Sequence, residues 1–373
     1  MKQRTVLHIT EALGGGVRSA IVNYIEACPD FRHIVVARER PGQETYDWPP
    51  NTDSIIVEGS LPKFVLYSLR KLTKYSPDIV HLHSSHAGVL RGLIKQRVAI
   101  VYSPHCFGME RRDISYINRW AIRKVESILL KARKQVLAAV SPYEARLAAE
   151  LAPRASITIV PNPAPKIFAS VGVVERSDTV VAVGRICAQK DPDLFAQAAR
   201  ANRKLNLKFV WIGSGDPDST TRLRESGVHV TGWIQPSEAL KILAECSLYV
   251  HTAKWEGAPI SSIEAASLGL PVLARAIPSM VSLGYATFGE SDAELATAMK
   301  LFFQDENYKN QVLFQTGEVA RHNSFDQMSI ALRLAYSKAI DLAAENSRAT
   351  ARLRRGCTVH ESLPRVLKNG PRQ

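Results

Sequence analysis

Residues 249–275 read YVHTAKWEGAPISSIEAASLGLPVLAR, and this stretch decides the fold class. An apolar strand leads into a polar loop at 251–259, and the pattern then predicts a short helix over 260–268. Gly269 and Pro271 end that helix, because glycine is favoured just past a helix end and proline cannot continue the helix. A second apolar strand follows at once. This order is typical of an open α/β sheet, in which the loop lies at the carboxyl end of a strand, where ligands bind.

Two glutamates stand out in this stretch: Glu256 lies in the loop and Glu264 about one turn into the helix. Carboxylates there suit the hydroxyls of a sugar or a ribose, since each oxygen accepts charge-assisted hydrogen bonds. Two such glutamates alone would be commonplace on a helix surface. The whole pattern, Glu-Gly-x-Pro-x4-Glu-Ala-x3-Gly-x-Pro-Val, resembles the Glu-x7-Glu signature of glycosyltransferase family 4, whose members are retaining GT-B enzymes that use nucleotide sugars.

The resemblance extends over roughly residues 5–340 and implies an α/β protein of GT-B architecture, with two doubly wound Rossmann-like domains facing a central cleft. We expect an acceptor-side domain at residues 1–164 and a nucleotide-sugar-binding domain at 165–326. A returning C-terminal helix at about 327–344 would rejoin the first domain. The basic tail, 345–373, is short of large apolar residues and is expected to be disordered.

The net charge of +13 is unevenly distributed, with the excess of Lys and Arg in residues 1–165 and 345–373. A basic face attracts nucleic acid, anionic lipid or a phosphorylated acceptor. No nucleic-acid motif accompanies the charge, so we expect lipid or phosphate and no nucleic-acid partner. A charge that only aids solubility is the alternative.

The five cysteines show no metal-binding spacing and are odd in number, which favours reduced thiols over a disulfide framework. The first apolar run, Thr5 to Ile9, is too short for the core of a signal peptide. No stretch approaches the ~20 apolar residues of a membrane span. We therefore expect a cytoplasmic protein that can lie peripherally on the inner face of the membrane.

The segment 114–136 is predicted to form one long helix in which basic and apolar residues alternate. Such a helix suits an anionic membrane surface. An ordinary surface helix that turns its apolar stripe inward explains the pattern equally well, and the sequence does not separate these two interpretations.

A glycine loop follows the first predicted strand and precedes a helix over 17–27. Such a loop lets backbone amides approach an anion at the helix N-terminus, although three glycines also suit a plain tight turn. The resemblance assigns Gly15 and Gly16 to the phosphates of the donor and Arg18 to the acceptor side.

Arg185 and Lys190 follow a strand predicted at 179–183 in an Arg-x4-Lys pattern. The guanidinium binds phosphate oxygens bidentately and the ammonium adds a mobile charge, so the pair can clamp a diphosphate. In the family such a pair neutralises the leaving nucleoside diphosphate in place of a metal. The two Asp-x-Asp triplets, starting at Asp191 and Asp216, are interpreted as helix N-caps because each has a central proline.

Three histidines, His81, His83 and His86, lie in and just past a strand predicted at 78–82. A metal site is disfavoured, since Asp78 falls on the opposite strand face and no cysteine is near. We predict that His83 and His86 lie on the acceptor side and that the protein holds no metal.

His105 follows an apolar strand at 99–103, a position well suited to a ligand. By resemblance it faces the donor sugar and joins the catalytic residues; a structural histidine is the alternative. The chain has Ser-Pro-His-Cys-Phe-Gly here, where some relatives have Thr-x-His-Gly.

The remaining predicted donor contacts come from loops that follow strands. They are Gly213, Gly215, Ile234, Gly257, Ala258, Pro259 and Ile260. In the family the segment that contains Trp233 lies beside the base, and a plain core role for Trp233 is the alternative.

The resemblance implies retaining transfer of a hexose-type sugar from a UDP- or GDP-sugar to a glycan or lipid-linked saccharide, in cell-surface polysaccharide biosynthesis. The catalytic set is Arg185, Lys190, Glu256 and His105, with Glu264 on the ribose. Front-face attack requires neither a glycosidase-like carboxylate pair nor a cofactor. A GT-B nucleotide-sugar epimerase and a non-catalytic nucleotide-sugar-binding subunit are the alternatives.

Overall fold

Seven parallel strands form the sheet of the first domain. The computed structural model describes residues 3–11, 14–38, 48–50, 52–95, 97–163 and 176–358, with side chains up to 348. The strands are β1 (Thr5–Thr10), β2 (Arg32–Arg38), β3 (Thr52–Val57), β4 (Ile79–His83), β5 (Ala99–Ser103), β6 (Val136–Ala139) and β7 (Ser156–Ile159), in the spatial order β3-β2-β1-β4-β5-β6-β7. The helices of this part are α1 (Gly16–Ala27), α2 (Leu61–Tyr75), α3 (Ser84–Gly88), α4 (Tyr116–Lys131) and α5 (Pro142–Leu151).

Six parallel strands form the second sheet, in the order β10-β9-β8-β11-β12-β13. In chain order the elements are β8 (Ser177–Val183), α6 (Pro192–Ala201), β9 (Lys208–Ile212), α7 (Pro217–Glu225), β10 (Val228–Val230), α8 (Pro236–Glu245), β11 (Cys246–His251), α9 (Ile260–Ser267), β12 (Val272–Arg275), α10 (Pro278–Leu283), β13 (Ala286–Phe288), α11 (Asp292–Gln304), α12 (Glu306–His322) and α13 (Phe325–Thr358). The predicted unit around 249–275 is confirmed.

Both sheets are doubly wound, because strand order reverses between β1 and β4 and again between β8 and β11. In open α/β sheets ligands bind outside the carboxyl ends of the strands at such switch points. The strands consist of apolar runs because helices cover both sheet faces; all five residues of β5, for example, are buried. The predicted boundary at 164/165 falls outside the described residues and stays a prediction.

Helix α13 leaves the second domain and packs on the first. Met328, Leu332, Ala335 and Tyr336 are buried with Tyr24 in one apolar cluster beneath the first sheet. The helix continues to Thr358. The expectation of disorder from residue 345 is therefore wrong for 345–358, and 359–373 lie outside the described residues.

Helix α4 is shorter than predicted. It ends at Lys131 rather than at 136, and β6 begins at Val136. Just past the helix end, the buried guanidinium of Arg133 donates to the carbonyl oxygens of Ile94 at 2.8 Å and Val98 at 3.0 Å. These bonds turn the chain inward. No helix among the described residues combines the length and apolarity needed to cross a bilayer.

Candidate active site

The carboxyl edges of the two sheets meet. A Cβ added to Gly257, in the loop after β11, would lie 2.8 Å from the backbone nitrogen of Cys106 and 2.9 Å from the carbonyl carbon of His105, in the loop after β5. Asn162 Nδ2 donates to the carbonyl oxygen of Ala258 at 2.8 Å. The predicted donor-site loops of both domains thus line one cleft, and only a glycine at 257 allows this approach.

A second contact across the cleft joins the glycine loop of the first domain to helix α9. Gly15 has a φ of 65° and caps α1, which begins at the exposed Gly16. A Cβ on Gly16 would lie 3.8 Å from Ile260 Cδ1, at the first residue of α9. The first residue of α1 therefore lies beside the side chain of the first residue of α9.

Lys190 and Glu256 form an ion pair. Lys190 Nζ lies 2.5 Å from Glu256 Oε1, and the two side chains are only 17% and 12% exposed. Three hydrogen bonds hold their loops together: Gln189 Nε2 to the Trp255 carbonyl at 3.0 Å, Lys254 N to the Gln189 carbonyl at 2.8 Å, and Thr252 Oγ1 to the Lys190 carbonyl at 2.6 Å. The structure therefore joins the predicted phosphate cation and the predicted sugar carboxylate to each other, which the sequence did not anticipate.

Arg185 lies in the same loop with its side chain exposed, and it forms no ion pair with any described residue. Gly184 precedes it with a φ of 144°, and a Cβ there would lie 2.9 Å from Lys190 Cε. The aliphatic part of the Lys190 side chain thus packs against the backbone of Gly184, beside Arg185. Among the described residues, this loop thus places Arg185, which forms no ion pair, next to Lys190, which forms one.

Glu264, within the second turn of α9, accepts no hydrogen bond from the described residues. Burial raises the pKa of its carboxyl group to about 7. A half-buried carboxylate without donors is costly in the unliganded protein, and hydroxyls supplied by a ligand would relieve that cost.

The other predicted donor contacts divide into exposed and buried groups. Trp233 is 42% exposed, so the alternative of a core role is wrong. Ile234 packs partly into the second-domain core. Ala258, Pro259 and Ile260 are buried, and Ile260 packs within the first-domain cluster.

Gly213 and Gly215 permit a close backbone approach. A Cβ at Gly213 would lie 2.2 Å from the Gly184 carbonyl oxygen, and one at Gly215 would lie 2.1 Å from that of Ile186. These glycines bring the loop after β9 against the loop that carries Arg185. Direct donor contact from them stays a prediction.

His105 lies on a constrained turn, with a φ of 55° followed by 104° at Cys106. The buried Glu144 fixes this turn: its carboxylate accepts from Cys106 N and from Val140 N, each at 2.8 Å. Burial raises the pKa of Glu144 to about 7. Sequence reasoning missed this role, although Glu144 stands in the Val-Ser-x2-Glu helix start that Ser141 caps.

The two histidines predicted on the acceptor side, His83 and His86, differ in their burial. His83 is fully buried and both ring nitrogens are hydrogen-bonded, to His8 and His105, so its assignment to the acceptor side is wrong. His86 is 54% exposed, with Nδ1 3.6 Å from Glu11 Oε2. Arg18 lies over the Trp48 ring at 5.2 Å.

The possible metal-binding groups also differ from the sequence interpretation. The histidines whose ligand atoms converge within 4.8 Å are His8, His81 and His83, not His86. Asp216 caps α7 by accepting from Ser219 N at 2.8 Å, as predicted. Asp191 occupies the N-cap position of α6 but makes no capping bond; its carboxylate pairs instead with Arg275 at 2.8 Å, because that buried guanidinium is the stronger donor.

Comparison with known proteins agrees with this geometry. Glycosyltransferase Family 4 matches residues 14–165, and glycosyl transferases group 1 matches residues 177–305. An uncharacterised 41.2 kDa protein in the cps region of Klebsiella pneumoniae is 25% identical over 328 residues, which are 81% of this chain and 87% of that protein.

Two further relatives have named ligands or activities. UDP-Gal:α-D-GlcNAc-diphosphoundecaprenol α-1,3-galactosyltransferase of Escherichia coli is 28% identical over 239 residues, 56% of this chain and only 59% of that enzyme. The structure of Anabaena HepE in complex with UDP and glucose has a TM-score of 0.70 at 15% identity, over 90% of this chain and 100% of that one.

Two facing parallel-sheet domains are the architecture of the GT-B fold. The two family matches make the chain a glycosyltransferase of that fold. Within that class, the chain belongs to glycosyltransferase family 4, whose two family matches together span both domains.

Proposed function

We propose that the protein transfers a hexose, with retention of configuration, from a UDP-sugar to a lipid-linked saccharide. The observation that carries this proposal is the set of groups at the second-domain switch point. It contains Arg185, a cation without an ion-pair partner among the described residues, and Lys190, a cation already beside the carboxylate of Glu256. It also contains Glu264, a carboxylate to which none of the described residues donates a hydrogen bond. A sugar-bearing diphosphate supplies the missing partner of each.

In the proposed reaction, the bond between the sugar's anomeric carbon and the diphosphate breaks as the bond to the acceptor oxygen forms on the same face. The acceptor's proton passes to the departing phosphate oxygen. Arg185 and Lys190 stabilise the charge that grows on the diphosphate, an effect that is usually the largest single contribution to catalysis. Glu256, once Lys190 turns to the phosphate, is left free to accept from the sugar's hydroxyls.

The choice of UDP and of a hexose is supported by the relatives. Anabaena HepE binds UDP and glucose, and the Escherichia coli relative uses UDP-galactose with a GlcNAc-diphosphoundecaprenol acceptor. The location of another relative in a cps region fits a role in polysaccharide assembly. For this chain these statements are part of the proposal.

The outer face of α4 supports a lipid-linked acceptor. Ile117, Trp120, Lys124, Ile128 and Lys131 follow one another at helical spacing, and the three apolar members are 74%, 53% and 63% exposed. The apolar stripe of α4 is thus not all turned inward. Apolar and basic residues on one face suit an anionic bilayer surface, so we include peripheral membrane binding through this face in the proposal.

A vesicle sedimentation experiment tests the membrane part. Binding to vesicles with anionic lipid should weaken as salt is added and should fall for Trp120→Ser, because both charge and apolar insertion contribute. Phe314→Ser, also an aromatic-to-serine change and at a 67% exposed site on α12, is the control and should bind as wild type does. Binding that is insensitive to salt contradicts the proposal.

The catalytic part is tested by thermal shift and product analysis. Among nucleoside diphosphates UDP should raise the melting temperature most, since a ligand that binds only the folded state stabilises it. UDP-hexoses should then release UDP only when a diphosphate-linked lipid saccharide is present. An epimerase would convert the UDP-sugar without acceptor or UDP release, and a non-catalytic subunit would bind the donor without turnover; either result refutes the proposal.

A further inference from the structure

Four histidines form a hydrogen-bonded row across the first domain, which we name the histidine chain: His33 on β2, His8 on β1, His83 on β4 and His105 after β5. His33 Nδ1 lies 3.0 Å from His8 Nε2, His8 Nδ1 lies 3.1 Å from His83 Nε2, and His83 Nδ1 lies 3.1 Å from His105 Nε2. At the inner end, His33 Nε2 lies 2.8 Å from the carbonyl oxygen of Cys28.

The rings are arranged for in-plane bonds. Successive ring planes are inclined by only 27°, 20° and 16°. His8, His33 and His83 are at most 2% exposed, and His105, at the cleft end, is half-buried. The neighbouring His81 is not part of the chain, because its nitrogens bond Tyr336 Oη at 3.1 Å and Ser103 Oγ at 2.9 Å.

All four rings are neutral near neutral pH. Burial holds the pKa of His8 and His83 well below its ordinary value, lowers that of His33, and lowers that of His105 to about 4. A neutral imidazole carries one proton, so one nitrogen donates and the other accepts.

The carbonyl of Cys28 then determines every proton position. A carbonyl oxygen can only accept, so His33 must carry its proton on Nε2 and accept at Nδ1. His8 must therefore donate from Nε2, and His83 likewise. At the end of the sequence, His105 must donate from Nε2 to His83. Its Nδ1 is left without a proton and without a hydrogen-bond partner among the described residues, and it is not fully buried.

We infer that His33, His8 and His83 are positioning residues, which fix His105 as the Nε2–H tautomer and so present its Nδ1 lone pair to a hydroxyl of the donor sugar. That the hydroxyl belongs to a donor sugar rests on the proposed function, whereas the tautomer of His105 does not. The tautomer is set at the far side of the domain, by a peptide group that touches no substrate.

The same geometry argues against two other uses of the row. A proton relay needs an outlet, and the Cys28 carbonyl cannot take up a proton at neutral pH. A metal held by His8, His81 and His83, whose ligand atoms lie within 4.8 Å, would have to replace the hydrogen bonds between the rings. The histidine chain instead satisfies each of its buried nitrogens without an ion.

The test is long-range ¹H–¹⁵N NMR on full-length protein labelled with [¹⁵N]histidine, without donor, at neutral pH, with His105 assigned from the spectrum of His105→Gln. We expect a protonated Nε2 and a bare Nδ1 on His105, and no stoichiometric metal in the purified protein. A protonated Nδ1, a mixture of tautomers or a bound metal ion overturns the inference. The wild-type spectrum decides this once His105 has been assigned.

A matched pair of variants tests how the tautomer is fixed. His33→Gln keeps a donor for Cys28 and an acceptor for His8 at similar spacing, so the His105 tautomer should persist. His33→Phe removes both, and His105 should become a mixture of tautomers. An unchanged His105 spectrum in His33→Phe, a result that a merely structural His33 would give, overturns the role of the chain.

Donor binding separates this inference from the proposed function. In His33→Phe the affinity for a UDP-sugar should fall by the inverse of the remaining Nε2–H fraction, about twofold for an even mixture of tautomers, while that for UDP stays constant. If the tautomer shifts and both affinities stay the same, the contact with the sugar is refuted and the fixed tautomer stands.

Discussion

Glu264, whose carboxylate accepts no hydrogen bond from the part of the chain that the structure describes, should make nucleotide binding depend on pH. Burial raises its pKa to about 7, so that near neutral pH the group is partly protonated in the unliganded protein. We predict that ribose hydroxyls donate to the ionised form, in which case binding must remove the proton. We expect the affinity for UDP to rise with pH across the range in which this group ionises.

The size of the effect follows from the ionised fraction. With the pKa of Glu264 at about 7, roughly one-eleventh of the protein carries the carboxylate at about pH 6 and roughly ten-elevenths at about pH 8. Observed affinity should therefore increase about tenfold over that range, a change of about 1.4 kcal/mol in binding free energy.

Isothermal titration calorimetry of wild type and of Glu264→Gln at several pH values is the appropriate assay. The amide keeps the shape and removes the titration, so the variant should lose this part of the pH dependence. At high pH it should also bind more weakly by about 1.5–3 kcal/mol, as expected for lost charge-assisted hydrogen bonds. The ionisation of UDP itself affects both proteins equally. Equal pH dependence in wild type and variant would refute the role of Glu264.

Three further changes test other parts of the account. Arg185→Ala should lower turnover by about 10²–10³-fold, as for one lost oxyanion donor, and leave the melting temperature unchanged; wild-type rates would remove Arg185 from the mechanism. Gly257→Ala places a Cβ 2.8 Å from Cys106 N and should lower kcat/KM by up to about 10²-fold, because the cleft must open to make room. Gly317→Ala is the control, since open space surrounds that position and its kcat/KM should not change. Equal values of kcat/KM for both variants would contradict the close approach at Gly257. The histidine chain should make the protein acid-sensitive, because its rings stay neutral in the folded protein and take up protons in the unfolded one. Urea unfolding should show the free energy of unfolding falling from about pH 6.5 towards about pH 4, by up to about 1.4 kcal/mol per pH unit for each ring. Glu144 and Glu264, whose pKa values are raised, partly offset this loss, and a flat profile would contradict the burial of neutral rings.

The sequence predicts those features that depend on neighbours in the chain. The unit that contains Glu256 and Glu264 could be predicted because its strand, loop and helix are contiguous in the sequence. Gly269 and Pro271 mark the end of the helix, as glycine and proline usually do. The capping role of Asp216 is equally local, since its acceptor bond reaches only Ser219.

Features that depend on distant pairings could not be predicted in this way. Asp191 pairs with Arg275 across 84 positions, so an aspartate that looks like a helix cap serves as an ion-pair partner. His8 and His83 are 75 positions apart, and only the strand order β2-β1-β4-β5 makes them neighbours. Such a row leaves no periodic signal in a single sequence.

We propose above all that the loops after β8 and β11 bind a sugar-bearing diphosphate in the cleft. A crystal structure of the protein with bound UDP-sugar tests it most directly. We expect diphosphate oxygens within about 3.2 Å of Arg185 and Lys190, an open ion pair between Lys190 and Glu256, and the ribose hydroxyls hydrogen-bonded to Glu264. A nucleotide bound elsewhere, or Lys190 still paired with Glu256 beside an unclamped diphosphate, would contradict it.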